Sequence, residues 1–374
     1  MKKKIAIIGA NASICKLIRK AKDMGYETHV FAWKANAPGE TEADFFYPIS
    51  ISDKQLILEK CRHIGPNGVT SVTSDFAYET VNYVASNLGL ACNEEKSETL
   101  ARDKFEMRKA FRECGLSVPE FAISVSSEDL PDLASLSYPL ITKPSNGWSS
   151  KGVRRVDDEG GLASSIEYSR SQSMSGKVVI EEFIEGPEYS CECISYQGEH
   201  AVLAFTEKHT SGYPYYVEVG HSQPARLSVR EKEKAVHAVL SGLKALGIKN
   251  GASHSEFKIA ESGEVYLIEV GARMGGDCIG TDLVPMSTGV DYLADVIRVA
   301  CGERPQLQFG NERNAEVRFF FTPEEQSGFI DHAQDRQLEI VEVAYEDGWS
   351  RTEVRNSSER YGHCLYFVGD KGEK

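Results

Sequence analysis

The sequence predicts a chain of mixed α/β and α+β class, with a parallel α/β unit first and antiparallel, strand-rich structure after it. Three observations carry that reading. In the first hundred residues, short apolar runs alternate with segments of helical periodicity, the pattern of a parallel sheet with helical crossovers. Beyond residue 119 the apolar runs come closer together, and one pair reads as a hairpin. The chain has 374 residues, 41% of them hydrophobic, which is ample for a large core and for two or three domains.

The elements follow in order. An apolar strand at 5–8 runs into Gly9-Ala10-Asn11, and Ile14, Leu17, Ile18 and Ala21 then recur at helical spacing until Gly25. Residues 28–31 and 68–73 read as two more strands, the second followed by a helix over 78–87. A helix over 104–114 stops at Gly115, with Pro119 beyond. β-like runs follow at 140–143, 178–183, 189–196 and 202–207, then a helix over 230–246 and a hairpin over 252–270. From about residue 311 the pattern is again strand-rich.

The formal charge of −14 would repel a phosphate backbone, so nucleic acid is not an expected partner, although a small phosphate ligand is. Nine irregularly spaced cysteines fit reduced, mostly buried thiols. Cys191 and Cys193 form a CxC pair, but on a strand they share one face and no second pair lies nearby to complete a metal site. No stretch approaches the roughly 20 apolar residues of a membrane span, and the run at 5–8 is too short for a signal peptide core. The expectation is a cytoplasmic chain with no membrane contact and no targeting segment.

The hairpin carries the strongest chemical signal. A two-residue turn at Ser262-Gly263 would set Phe257 opposite Ile268 and Ile259 opposite Tyr266, an apolar face. On the other face Glu256 would stand opposite Glu269. Like charges about 5 Å apart repel, so a divalent cation between them would explain the pair. Magnesium suits oxygen ligands and bridges to phosphates. His254 and Arg273 would share this face. The alternative is a solvated hairpin with two unrelated glutamates.

Two further segments fit a nucleotide. A strand delivers Lys143 into a loop, Ser145-Asn146-Gly147-Trp148-Ser149-Ser150-Lys151-Gly152, whose backbone N–H groups can wrap phosphates beside the lysine charge. At residues 179–189 a buried strand runs into an acidic turn, where backbone groups can meet an adenine edge and a carboxylate the ribose hydroxyls. A surface hairpin and an ordinary strand end are the plain alternatives. Gly9-Ala10-Asn11 lacks the later glycines of a dinucleotide fingerprint.

Lysine loop, acidic hinge and carboxylate hairpin, with Arg102-Asp103-Lys104 upstream, occur in the order and spacing of the ATP-grasp superfamily, which residues 3–370 resemble. The resemblance implies an ATP-grasp fold. A Rossmann-like N-terminal domain would occupy 1–95, and the ATP-grasp domain 96–300, with a lid at about 120–185. A small C-terminal lobe would fill 301–374. It implies that Lys104, Lys143 and Ser149 bind ATP phosphates, that Glu181, Glu182 and the Ile184 backbone line the adenine site, and that Glu188 holds the ribose. Glu256 and Glu269 would bind magnesium, with manganese as the alternative ion, and Arg273 would stabilise the transferring phosphate. Many members carry a metal-binding asparagine where this chain has Gly271; Glu218 is the candidate replacement. Glu218-Val219-Gly220-His221-Ser222-Gln223-Pro224-Ala225 resembles the L-amino-acid (dipeptide) ligase branch, which implies that His221 contacts an acyl phosphate.

The implied activity joins a carboxylate to an amine through an acyl phosphate, with ADP and phosphate released. A carboxylase or purine-pathway synthetase is the rival within the fold, and a non-catalytic nucleotide-binding protein the rival outside it. Family analogy adds a homodimer. No Met-Lys-Met biotinylation sequence is present.

Overall fold

The structure is a computed structural model and describes residues 2–34, 37–126, 131–147, 151–213, 216–336, 338–351 and 354–369. The chain opens with β1 (Lys4–Ile8), α1 (Ala12–Asp23), β2 (Glu27–Phe31), α2 (Gly39–Glu42), β3 (Phe45–Tyr47), α3 (Lys54–Ile64), β4 (Gly68–Thr70) and α4 (Asp75–Asn87). All pairs in its sheet are parallel, in the order β3-β2-β1-β4. The alternation of apolar runs and helices produces this arrangement because each helix must cross back over the sheet to start the next parallel strand. Asn11 caps α1 by accepting from the Ile14 N–H at 3.0 Å, so the loop after β1 is closed by its own side chain.

After α5 (Lys96–Leu100) comes α6 (Lys104–Glu113), capped by Asp103. A four-stranded antiparallel sheet follows, made of β5 (Phe121–Ser124), β6 (Leu140–Pro144), β7 (Arg154–Val156) and β8 (Val178–Glu182), in the order β5-β8-β6-β7. Leu162 and Ile166 of α7 (Glu159–Ser171) pack on its apolar face.

The central sheet has eight strands: β9 (Glu188–Tyr196), β10 (Glu199–Thr210), β11 (Glu218–Gln223), β12 (Gly251–Ile259), β13 (Val265–Gly271), β14 (Ala315–Phe320), β15 (Glu339–Tyr345) and β16 (Gly362–Phe367), in the order β13-β12-β9-β10-β11-β14-β16-β15. The C-terminal strands therefore prolong this sheet. Its remaining helices are α8 (Val229–Leu246), α9 (Val284–Thr288), α10 (Tyr292–Ala300) and α11 (Pro323–Asp335).

Period-two alternation gives the central sheet two different faces. Cys191, Cys193, Phe205, Phe257 and Leu267 form a core with α6 and α8. Glu188, Ser190 and Glu192 of β9 point the other way and meet His254, Glu256 and Lys258 of β12 as direct neighbours. A separate core, with Ile5, Ile7, Leu17, Val296 and Ile297, joins the first sheet to α10.

The hairpin corrects one expectation. The turn is not the two-residue Ser262-Gly263 link. The Gly263 N–H donates to the Ala260 carbonyl at 2.8 Å, and the Ala260 N–H to that of Glu264 at 3.0 Å. Phe257 therefore pairs with Leu267, and Ile259 with Val265, rather than with Ile268 and Tyr266. A bulge between Glu256 and Phe257 then absorbs one extra residue, and Glu256 falls opposite Glu269 after all. Burial decides the register: Phe257, Ile259, Val265 and Leu267 are at most 5% exposed.

Candidate active site

The site forms as rows of side chains across the central sheet. In one row Glu269 faces Glu256, which faces Ser190. In the next, Lys258, Glu188, Lys208 and His221 are successive neighbours on β12, β9, β10 and β11. Directly opposed residues project to the same face, so the two glutamates and these groups share one surface.

Lys208, which the sequence reading left out, is the hub. Its Nζ lies 2.7 Å from Glu188, 2.6 Å from Glu256 and 3.9 Å from Glu218, with 5% of the side chain exposed. Burial opposes its charge, but the three carboxylates outweigh burial and hold its pKa well above the usual lysine value. The expected strand ended at residue 207; carrying its alternation one residue further puts Lys208 on the face of Glu188.

Lys104, at the start of α6, donates to Glu269 Oε1 at 2.8 Å and to the Gly147 carbonyl at 2.9 Å. The lysine loop is thereby tied to β13. Lys143 and Arg108 flank Glu181, with Nζ–Oε2 at 2.6 Å and Nε–Oε1 at 2.9 Å. Burial pulls the Lys143 pKa down to about 8, and the Arg108 and Lys104 charges add to that against the pull of Glu181. Arg108 is fully buried on α6, and its sequence context reads as an ordinary helix position.

The remaining candidates fall as follows. Glu182 turns away from this cluster and accepts the Ser137 N–H at 2.8 Å. The Ile184 carbonyl accepts from Lys258 at 3.1 Å. Ser149 lies outside the described residues. Glu218 accepts from Ser357. His221 is 1% exposed, and neither ring nitrogen has a hydrogen-bond partner. Burial lowers its pKa to about 3, so the ring is neutral at physiological pH. Glu79 of α4 pairs with Lys54 and Arg102 at 2.7 Å each.

Arg273 pairs bidentately with Asp75 of α4, at 2.9 and 3.0 Å. This pair explains Gly271. A Cβ there would come 3.1 Å from Asp75 Oδ1 and 3.3 Å from the Arg273 guanidinium, so an asparagine would crowd the pair. Beside Arg273 lies a small cavity of ≈ 60 Å³ lined in part by Tyr78, Asn82, Asn93, Asn250 and Val296. His254 completes the cluster: Nδ1 contacts Glu192 and Nε2 lies 3.3 Å from Glu256. Burial opposes its charge, but Glu192 and Glu256 outweigh burial and raise its pKa to about 9.

Two opposed carboxylates suit a hard divalent cation with phosphate and water as its other ligands. Here each already carries a protein cation, Lys104 on Glu269 and Lys208 with His254 on Glu256, so the residues demand positive charge between them. Among the described residues no trio of His, Cys, Asp or Glu side chains is gathered for a metal.

A parallel α/β unit, a lysine-bearing antiparallel sheet and a central sheet with paired carboxylates together define the ATP-grasp architecture. An ATP-grasp domain family model matches residues 136–282. The crystal structure of an L-amino acid ligase from Bacillus licheniformis superposes with a TM-score of 0.81 at 26% identity, covering 98% of this chain and 94% of that one. A D-alanine–D-alanine ligase B from Chromobacterium violaceum is 31% identical over 53% of this chain and 65% of its own length. An uncharacterised protein of Sinorhizobium fredii is 29% identical over 74% of this chain and 58% of its own. The chain thus spans about six-tenths of the length of these two curated relatives. Residues 136–282 thus match the ATP-grasp domain, and the chain is similar to ligases that carry it. No helix among the described residues is long and apolar enough to cross a membrane.

Proposed function

We propose that the chain is an ATP-dependent ligase that joins the carboxylate of one small molecule to the amine of another. The observation that carries this reading is the opposed pair Glu256 and Glu269 in a ring of cations, with Lys208 on Glu256, Lys104 on Glu269 and the Arg273 charge acting on both, while Lys143 pairs with Glu181. Phosphoryl transfer requires charge neutralisation and positioning more than covalent help, and this ring supplies both.

A carboxylate oxygen of the first substrate attacks the γ-phosphorus of ATP, and the bond to ADP breaks. The amine nitrogen then attacks the acyl carbon, phosphate leaves with the bonding electrons, and the nitrogen loses a proton. Lys104 and Lys143 hold the phosphates, Glu188 the ribose, and the Ile184 backbone with Glu181 and Glu182 the adenine end. Magnesium, or manganese in its place, would be held by Glu256 and Glu269, with Glu218 near, and would neutralise charge on the transferring phosphate. Arg273, released from Asp75, would meet the incoming carboxylate beside the cavity. His221 is neutral and unpartnered, which suits a hydrogen bond to the acyl phosphate. The sheet of β5 to β8 would serve as the lid, with Ser149 in its loop, and exclude water from that intermediate. Cytoplasmic location and a homodimer complete the reading.

Phosphate release from ATP, screened over paired amino acids and over bicarbonate, tests it. ADP formation that requires one carboxylate and one amine together supports the ligase. Turnover with bicarbonate, or nucleotide binding without turnover, would overturn it.

A further inference from the structure

The CxC pair of β9 has a second side. Cys191 and Cys193 pack into the core under α8, so Glu192 between them must project to the opposite face. There it is wholly buried, and both its oxygens are engaged. Oε1 contacts His254 Nδ1 on β12, and Oε2 accepts the Gly275 N–H at 2.9 Å. His254 in turn presents Nε2 to Glu256 at 3.3 Å. A Cβ at Gly275 would sit 2.6 Å from Glu192 Oε1 and 2.8 Å from His254 Nδ1, so a larger residue there would push the two apart. A single buried carboxylate thus fastens the strand that carries Glu256 to the loop that carries Arg273.

We propose that Glu192 is a positioning residue: by clamping the His254 ring and the Gly275 peptide together, it aims the Glu256 carboxylate and the Arg273 loop at one point. A buried carboxylate is costly, and a stable core does not require one where Val or Leu would pack. Outer partners that fix the orientation of a ligand group typically control metal affinity about ten- to a hundred-fold. The inference rests on the cation-and-nucleotide reading of Glu256 given above.

The test uses the full chain and manganous ADP as probe, with free Mn2+ measured by electron paramagnetic resonance. Thermal melting and ATP-dependent phosphate release are followed in parallel. Glu192→Gln keeps the volume and an acceptor for the Gly275 N–H but loses the anion. It should weaken Mn2+·ADP binding about ten-fold or more, with a small change in melting temperature. Gly275→Ala should weaken the same binding in the wild-type background and cost less in Glu192→Ala, where the oxygen it strikes is gone and the His254 ring, freed from Glu192, can turn aside. Unaltered Mn2+·ADP affinity in Glu192→Gln beside normal wild-type binding would overturn the positioning role alone. So would strict additivity of Gly275→Ala and Glu192→Ala. A wild-type chain that binds no Mn2+·ADP would overturn the functional reading and this inference together.

Discussion

Replacing Lys208 with methionine tests the charge logic of the site most directly. Methionine keeps most of the apolar stem and removes the ammonium. Glu188 and Glu256, 2.7 and 2.6 Å away, then lose their shared counter-ion. Removing one partner of a buried ion pair costs about 3–5 kcal/mol. The two carboxylates retain 27% and 23% exposure, and that access to solvent places the cost near the lower end, about 3 kcal/mol. At roughly 2 °C per kcal/mol for a chain of this size, the Tm measured in EDTA should fall by about 6 °C. Magnesium should then reverse much of the loss, because an ion at about a hundred times its Kd adds about 2.7 kcal/mol. The wild type should gain less from the same magnesium, since the ion must first displace an ammonium. Differential scanning fluorimetry with and without magnesium reads both effects. A drop below about 1 °C, or equal magnesium gains in both proteins, would refute the idea that Lys208 occupies the place of a cation.

Glu269→Gln should leave the circular dichroism spectrum and fold unchanged while cutting phosphate release by about a hundred-fold or more, as loss of a group acting on the transferring phosphate does; near wild-type turnover contradicts the metal-facing role. Lys143, with a pKa of about 8, should lose its charge as pH rises through 8, so the KM for ATP should climb above that pH in the wild type and stay flat in Lys143→Arg. Its folded pKa lies below the ordinary lysine value of 10.5, so the unfolded chain binds more protons between pH 8 and 10.5, and this group's contribution to stability rises across that window. Gly271→Asn should strike the Asp75–Arg273 pair and cost about 1–3 kcal/mol by overpacking, a cost that Asp75→Ala relieves in the double variant; equal melting losses in both backgrounds would refute the steric account.

What was legible in the sequence was local. The strand and helix runs of the first sheet, α6 with its Gly115 stop, and the two glutamates of the hairpin are written in spacing and capping over a few residues. Even there the hairpin register was reached by a route the structure corrects, because neither the longer turn nor the compensating bulge leaves a pattern in period two. The missing part is convergent. Lys208 meets Glu188 and Glu256 from strands separated by up to 48 positions, Arg108 meets Glu181 across 73, and Asp75 meets Arg273 across 198. No periodicity encodes such meetings. Arg108 on its helix looks like any polar position, and Glu192 was hidden by the two cysteines that drew attention to themselves. Gly271 read as a lost ligand, whereas in space it is a vacancy that a distant ion pair requires.

The last strands have a consequence for synthesis. β11, bearing Glu218 and His221, is bordered on its outer side by β14, and β14 by β16. Ser357 reaches Glu218 and Arg360 reaches Asp277 at 2.6 Å. A nascent polypeptide that has emerged only to residue 300 already holds both lysines and both facing glutamates, yet offers a raw sheet edge where the acyl group would lie. The edge of β11 is therefore covered only once β14 has been made, and β14 in turn only once β16 follows.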